Sequence, residues 1–400
     1  MNELLVCLAI ALTATSGLFS LVGKVKPMTD CVFAIQMGVG ASVGLLGAVR
    51  GLLNLKTISF QSLERYLVTS WHVQVDCLSS LFLISIFLLG GLGALYGTGY
   101  FSVVTRGYEA VRLRVYYGVV VAGMALLVVA NHAIIFLVGW EFMALFAFMA
   151  LTVQDKKEPV RQAGFVYLVA TRIGTLALIA MFALLRAQTG SYSLNVFGLG
   201  ANSGLATATF LLGLLGFGLK AGVIPLHFWL PAAHANAPTH VSALMSGVMV
   251  KTGIYGFLRL TSFYGDIPTW WGHLVLILGL TSALLGVAFA LGQHDIKRLL
   301  AYHSVENIGI ILLGVAVGLI GRNKSEPLLI FLGFGGALLH VLNHGLFKAL
   351  LFFGAGVVIS ATGTRELERY GALSLRMPYT ATAFLIGAIA ISGLPPLNGF

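Results

Sequence analysis

The sequence predicts an all-α polytopic membrane protein with about twelve transmembrane helices. Of its 400 residues 58% are hydrophobic and 10% are charged, with a mean hydropathy of +0.94. A soluble domain carries about 25% charged residues, so an ordinary water-soluble protein is excluded. Three cysteines cannot staple a chain of this length, and disordered chains are far less apolar. The apolar residues also cluster in runs of roughly 20, the length that crosses about 30 Å of hydrocarbon as a helix. In lipid only helices and closed barrels satisfy the backbone, and runs of this length are the helical signature.

The runs lie near 3–22, 31–53, 77–96, 113–130, 132–151, 163–186, 204–223, 239–260, 273–292, 299–320, 328–361 and 379–400. The first has no basic leader and reads as a retained span, not a signal peptide. Short connections leave no room for a soluble domain. The expected organisation is a three-helix segment over 1–112, a five-helix unit over 113–260 and a second, incomplete unit over 261–400. The chain reads as a fragment of a longer subunit, because it stops inside or barely past its broken twelfth run with no polar segment to close it; a natural C-terminal variant is the alternative.

Loop cations set the expected orientation. With the N-terminus outside, inner loops hold Lys24, Lys26, Arg106, Arg112, Arg114, Lys156, Lys157, Arg161, Lys297, Arg298, Arg365, Arg369 and Arg376. Outer ends hold the shorter set of Arg50, Lys56, Arg65, Arg186, Arg259, Arg322 and Lys324. The net charge of +10 is therefore a topogenic bias and implies no nucleic-acid partner.

Ionisable residues inside apolar runs carry the functional signal, since each costs about 2.5–3.5 kcal/mol at a helix centre. Glu141 lies mid-run in the fifth helix, Lys220 near the end of the seventh and Lys251 within the eighth. His340, His344 and Lys348 recur every four residues in the eleventh, on one helical stripe. His303 and Glu306 lie early in the tenth. A proton relay needs groups that exchange protons in a shared polar file, and a carboxylate beside an ammonium tunes both. Arg172 and Arg186 read as interhelical hydrogen bonds or as side chains reaching for the interface.

Helix breakers add a second signal. Pro225 and Pro231, with Pro238 beyond, follow Lys220, and each removes a helical hydrogen bond. Helix 7 is therefore expected to be discontinuous, which is tolerated where a helix lines protein or a polar cavity. Gly393-Leu394-Pro395-Pro396-Leu397 repeats the Gly-x-x-Pro-Leu of Gly222 to Leu226, five helices later, so helix 12 should break as well. Corresponding breaks point to internal repeats around an ion pathway.

No Cys-x-x-Cys occurs, which argues against an iron–sulfur or zinc site. No Walker sequence is present either. His227, His234 and His240 lack a supporting carboxylate and read as interfacial. Any redox chemistry is assigned to a partner.

The stretch Leu137–Glu141, the run Phe217–Pro231 and the stretch Ala237–Gly256 resemble the antiporter-like proton-pumping subunits. Asp295–Ser304 and His340–Lys348 fit the same pattern. That family serves respiratory complex I, membrane-bound [NiFe] hydrogenases and multisubunit Na+/H+ antiporters. The likeness runs from about 113 to 400 and is greatest to the hydrogenase-4 component B or formate hydrogenlyase subunit 3 branch. It implies inverted five-helix repeats, of which the second is truncated here. It also implies a coupled Glu141/Lys220 pair, a central relay lysine at Lys251, and a path continued by His340, His344 and Lys348; His303 is read into the same relay. The family places one more charged residue in or after the second broken helix, and none occurs here up to Phe400. The expected function is proton translocation in the cell (inner) membrane, driven by a peripheral redox arm and alongside other membrane subunits. Na+ antiport is the alternative. Iron–sulfur clusters, a NiFe centre, flavin or quinone are expected only in partner subunits, and no cofactor or metal in this chain.

Overall fold

The computed structural model describes residues 2–22, 28–53, 58–62 and 71–400. Of the loop cations used for orientation, Lys24, Lys26, Lys56 and Arg65 lie outside the described residues. Eleven of the described helices are long and apolar enough to cross a membrane. The twelfth expected span is represented by an apolar helix of 14 residues, Pro378–Ile391, because the proline-rich break follows it directly.

The chain divides into two compact units, Met1–Val196 and Phe197–Phe400. The first holds α1 (Asn2–Thr15), α2 (Phe19–Val22), α3 (Met28–Leu53), α4 (Cys77–Tyr100), α5 (Val103–Arg106), α6 (Tyr108–Val129), α7 (Ala133–Leu151) and α8 (Glu158–Thr189). A two-stranded antiparallel ribbon, β1 (Ile58–Ser62) with β2 (Trp71–Val75), sits between α3 and α4, paired from Ile58↔Val75 to Ser62↔Trp71. Hydropathy alone does not announce this ribbon: its residues fall between apolar runs.

The second unit holds α9 (Gly204–Ala221), α10 (Leu230–Asn236), α11 (Thr239–Leu244), a π-helical turn (Met245–Met249), α12 (Lys251–Ser262), α13 (Thr269–Leu291), α14 (Ile296–Lys324), α15 (Pro327–Thr362), α16 (Leu373–Arg376) and α17 (Pro378–Ile391). Ser203 caps α9 through the Ala206 amide, and Asp295 caps α14 through the amides of Lys297 and Arg298. Helix α13 packs along α14, and α14 along α15. Of the 24-residue span formed by α11, the π turn and α12, every residue from Thr239 to Leu258 is buried. A helix enclosed on every side by protein can carry polar residues that a lipid-facing helix cannot.

Candidate proton relay

Helix α9 stops just after Lys220. Gly222 takes a left-handed conformation (φ 74°) and closes the end, its amide donating to the Gly218 carbonyl at 2.9 Å. Pro225 then supplies no amide donor. The groups exposed by the break are satisfied by side chains: Ser282 Oγ accepts from the Ile224 amide at 3.0 Å, and Trp229 Nε1 donates to the Leu219 carbonyl at 2.7 Å. Helix α10 resumes at Leu230. The expected discontinuity of helix 7 is therefore present, with Lys220 buried in the last turn of its first half, at the negative end of the helix dipole. At the second break Gly393 is also left-handed (φ 67°), directly beyond α17.

The eighth span holds a feature the sequence does not suggest. Met245–Met249 widens into a π turn, and Lys251 Nζ donates to two carbonyls of that turn, Ser246 O at 3.0 Å and Gly247 O at 2.6 Å. A π turn displaces the usual hydrogen-bond ladder and is common at functional sites. Here an ammonium occupies the displaced acceptors. Gly253 makes the adjoining approach possible, since a Cβ there would stand 2.5 Å from the Phe217 carbonyl oxygen and 2.9 Å from the Ala221 nitrogen of α9. The helix that carries Lys251 is thereby packed closely against the end of α9.

Helices α14 and α15 extend the polar file. Ser246 Oγ and Ser304 Oγ are 2.7 Å apart, both fully buried, and Ser304 Oγ donates onward to the Leu300 carbonyl at 3.1 Å. Lys348 Nζ donates to that same carbonyl at 2.5 Å. Two hydroxyls thus bridge the carbonyl cradles of Lys251 and Lys348. His340 Nε2 lies 2.9 Å from Asn307 Oδ1, and the His340 and His344 rings are near parallel at 6.2 Å. His344 is fully buried, and neither ring nitrogen has a hydrogen-bond partner among the described residues. A buried imidazole left in this way is chemically suited to exchange protons with water, which it would need to satisfy itself. His303 Nδ1 lies 2.5 Å from Glu306 Oε2 on the same helix.

Three more polar residues gather at α10 without a sequence signal strong enough to single them out. His234, read as interfacial, is fully buried in α10 with its ring 5.6 Å from Phe352. Lys297, read as a loop cation, is buried and donates to the Ala237 carbonyl at 2.5 Å. Arg365 reaches the Ala235 carbonyl at 2.6 Å. Two cations therefore meet the carbonyl end of α10, where the dipole favours them. The Asp295-x-Lys297 spacing is the available clue: an N-cap places the lysine in the first turn, not in a loop. Outside the membrane helices, His294 contacts Glu368 and holds that exposed carboxyl below its usual range.

In the first unit Glu141 is ion-paired with Arg172 of α8 and accepts a hydrogen bond from Thr175 Oγ1 at 2.6 Å. Arg172 thus does not simply reach for the interface; a mid-helix carboxylate offers it a better partner than distant solvent. The side chains are 47% and 31% exposed for Arg172 and Glu141, which leaves the pair able to open. Replacing Arg172 by Leu should slow proton transfer several-fold in an otherwise unchanged chain and add nothing once Glu141→Gln is present. A double-mutant cycle on transfer rate should give a coupling of about 1 kcal/mol, the whole of that loss; additive losses would remove Arg172 from the scheme. Among the described residues, no group of three or more His, Cys, Asp or Glu side chains is placed to hold a metal ion.

The sequence profile of the NADH:quinone oxidoreductase/Mrp antiporter transmembrane family matches residues 130–400. The chain belongs to that family. It is 45% identical over 335 residues to hydrogenase-4 component B of Escherichia coli K12, covering 82% of this chain and 49% of that protein. Identity is 38% over 364 residues to formate hydrogenlyase subunit 3 of the same strain, covering 91% and 58% respectively. To a Na(+)/H(+) antiporter subunit of Alkalihalophilus pseudofirmus it is 34% over 341 residues, covering 83% and 42%. The chain therefore spans about half the length of the curated relatives it matches. Among solved structures, a chain of the Mrp complex from Dietzia sp. DQ12-45-1b superposes with a TM-score of 0.86 at 23% identity, over 100% of this chain and 72% of that one. That likeness establishes the antiporter-like fold.

Proposed function

We propose that this protein moves protons across the cell membrane, N-terminus outside, within a redox complex of the hydrogenase-4/formate hydrogenlyase type. The relay comprises Glu141, Lys220, Lys251, His303, His340, His344 and Lys348. The observation that carries this reading is the pair of buried lysines, Lys251 and Lys348, whose carbonyl cradles are joined through Ser246 and Ser304. An ammonium kept in a low-dielectric interior is costly unless backbone dipoles hold it, and it gives up a proton readily when its surroundings change. A partner that alters the field at one end of the file shifts proton affinity along it. The chain contributes the path. Iron–sulfur clusters, a NiFe centre, flavin or quinone belong, in this reading, to a peripheral arm, with other membrane subunits alongside.

The test is the intact complex in sealed vesicles, energised by its electron donor. Lys220→Ala should reduce proton uptake to background while the complex still assembles, and uptake at the normal rate would refute the reading. Cation/proton antiport is the second reading, supported by the identity to the Alkalihalophilus pseudofirmus Na(+)/H(+) antiporter protein. A Na+ gradient that drives proton movement without an electron donor would favour it.

A further inference from the structure

The membrane-crossing helices of the second unit contain one acidic residue, Glu306, against the buried Lys220, Lys251, Lys297 and Lys348. It stands ten residues beyond Ile296 in α14, about 15 Å along the helix axis. Its environment is unlike that of Glu141, whose carboxylate meets a permanent cation. Glu306 has His303 as its hydrogen-bond and ion-pair partner among the described residues, and His303 carries a charge only when protonated. Lys348 reaches the same helix at the Leu300 carbonyl, six residues before Glu306 and about 9 Å along the axis, and His340 meets it at Asn307, the residue after Glu306. Asn307 holds the two helices in register: its Nδ2 donates to the His303 carbonyl at 2.8 Å, and its Oδ1 meets His340 Nε2. Around α14, the titratable groups of this polar file are His340, His344 and Lys348 on α15, Lys251 on α12 and His234 on α10. Helix α13 presents backbone, at Gly286, to Glu306.

We propose that Glu306 is the counter-ion of the α14–α15 relay and that His303 switches it. With His303 neutral, the carboxylate field falls on Lys348 and His340 and favours their protonated forms. When His303 takes a proton at its imidazole, the pair is neutral overall, the field is spent locally, and Lys348 releases its proton more easily. Glu306 and His303 here position charge. This inference rests on the proton-transfer reading above and extends it to the residue that times release from Lys348.

Three kinds of variant, made in the full chain within its complex, separate this from a pair that merely stabilises α14. Glu306→Gln should move the pH midpoint of donor-driven proton uptake downward by about one unit, since loss of a nearby anion disfavours a protonated lysine. His303→Lys, a permanent cation beside the carboxylate, should move it the same way. His303→Gln leaves the carboxylate unneutralised and should move it upward. Glu306→Asp should restore the wild-type midpoint. A wild-type midpoint in Glu306→Gln, or shifts of one sign for both His303 variants, would overturn the proposal. A pH-difference infrared spectrum of the same complexes supplies a readout independent of transport: a carboxylate stretching band that shifts as the neighbouring imidazole takes its proton should be lost in Glu306→Gln, and a band unchanged by that substitution would likewise overturn it. If Lys220→Ala pumps normally while the Glu306 carboxylate band shifts in the unsubstituted chain and is lost in Glu306→Gln, the transport reading fails and the assignment of Glu306 as a switched carboxylate stands.

Discussion

Lys251→Met is expected to reduce proton transfer on the order of 100-fold, the scale on which a positioned acid–base group contributes, while the complex assembles at near-normal yield. The side chain is 1% exposed, and its ammonium is held by the carbonyls of Ser246 and Gly247. Methionine preserves length and apolar contact but cannot carry a proton. The two carbonyls lose their donor, which costs about 1–3 kcal/mol. Against this, the buried ammonium and its desolvation penalty disappear, and replacing a buried charge by an apolar group of similar volume is often nearly neutral. Folding and transfer should thus separate: native-gel assembly stays close to wild type and vesicle acidification fails. Lys251→His, which keeps a titratable nitrogen near the same place, should recover part of the rate. A Lys251→Met complex that acidifies vesicles at the wild-type rate would leave the buried lysine without a transport role.

Gly253→Val should have the opposite signature, failing at assembly. The added Cβ would meet the Phe217 carbonyl oxygen at 2.5 Å and the Ala221 nitrogen at 2.9 Å, and both are backbone atoms that cannot rotate away. Helix α12 must then move off α9, and overpacking of this kind costs about 1–3 kcal/mol or more. The shift acts on the two helices that carry Lys220 and Lys251. Folded complex recovered from membranes should fall sharply, with thermal inactivation at a lower temperature in what remains. Gly253→Ala should show a smaller loss in the same direction. Normal yield and thermal behaviour for Gly253→Val would mean that the α9–α12 approach is looser than the backbone contacts indicate.

These two residues differ in how visible they are before the helices are packed. Lys251 stands out because an ammonium in an apolar run is expensive wherever the chain goes. Gly253 does not, since one glycine among 49 has no signature until a neighbouring helix is placed against it. Glu306 is noticeable in sequence but takes on meaning only with His303 at 2.5 Å and with Lys348 and His340 bonded to the same helix at Leu300 and Asn307. Lys297 reads as a loop cation, although its position two residues after the Asp295 cap puts it in the first turn of α14.

The sequence by itself determined the membrane class, the order of the apolar helices and the break after Lys220. Each depends on local quantities: the hydrocarbon thickness a run must match, and the amide that Pro225 lacks. The tertiary structure alone decided the partners. It set Arg172 against Glu141, opened the π turn beneath Lys251, joined Ser246 to Ser304 and brought His340 of α15 to Asn307 of α14. Such pairings join residues tens of positions apart, and they are selected by how closely whole helices pack. A buried polar group accepts whichever partner that packing brings within hydrogen-bond distance.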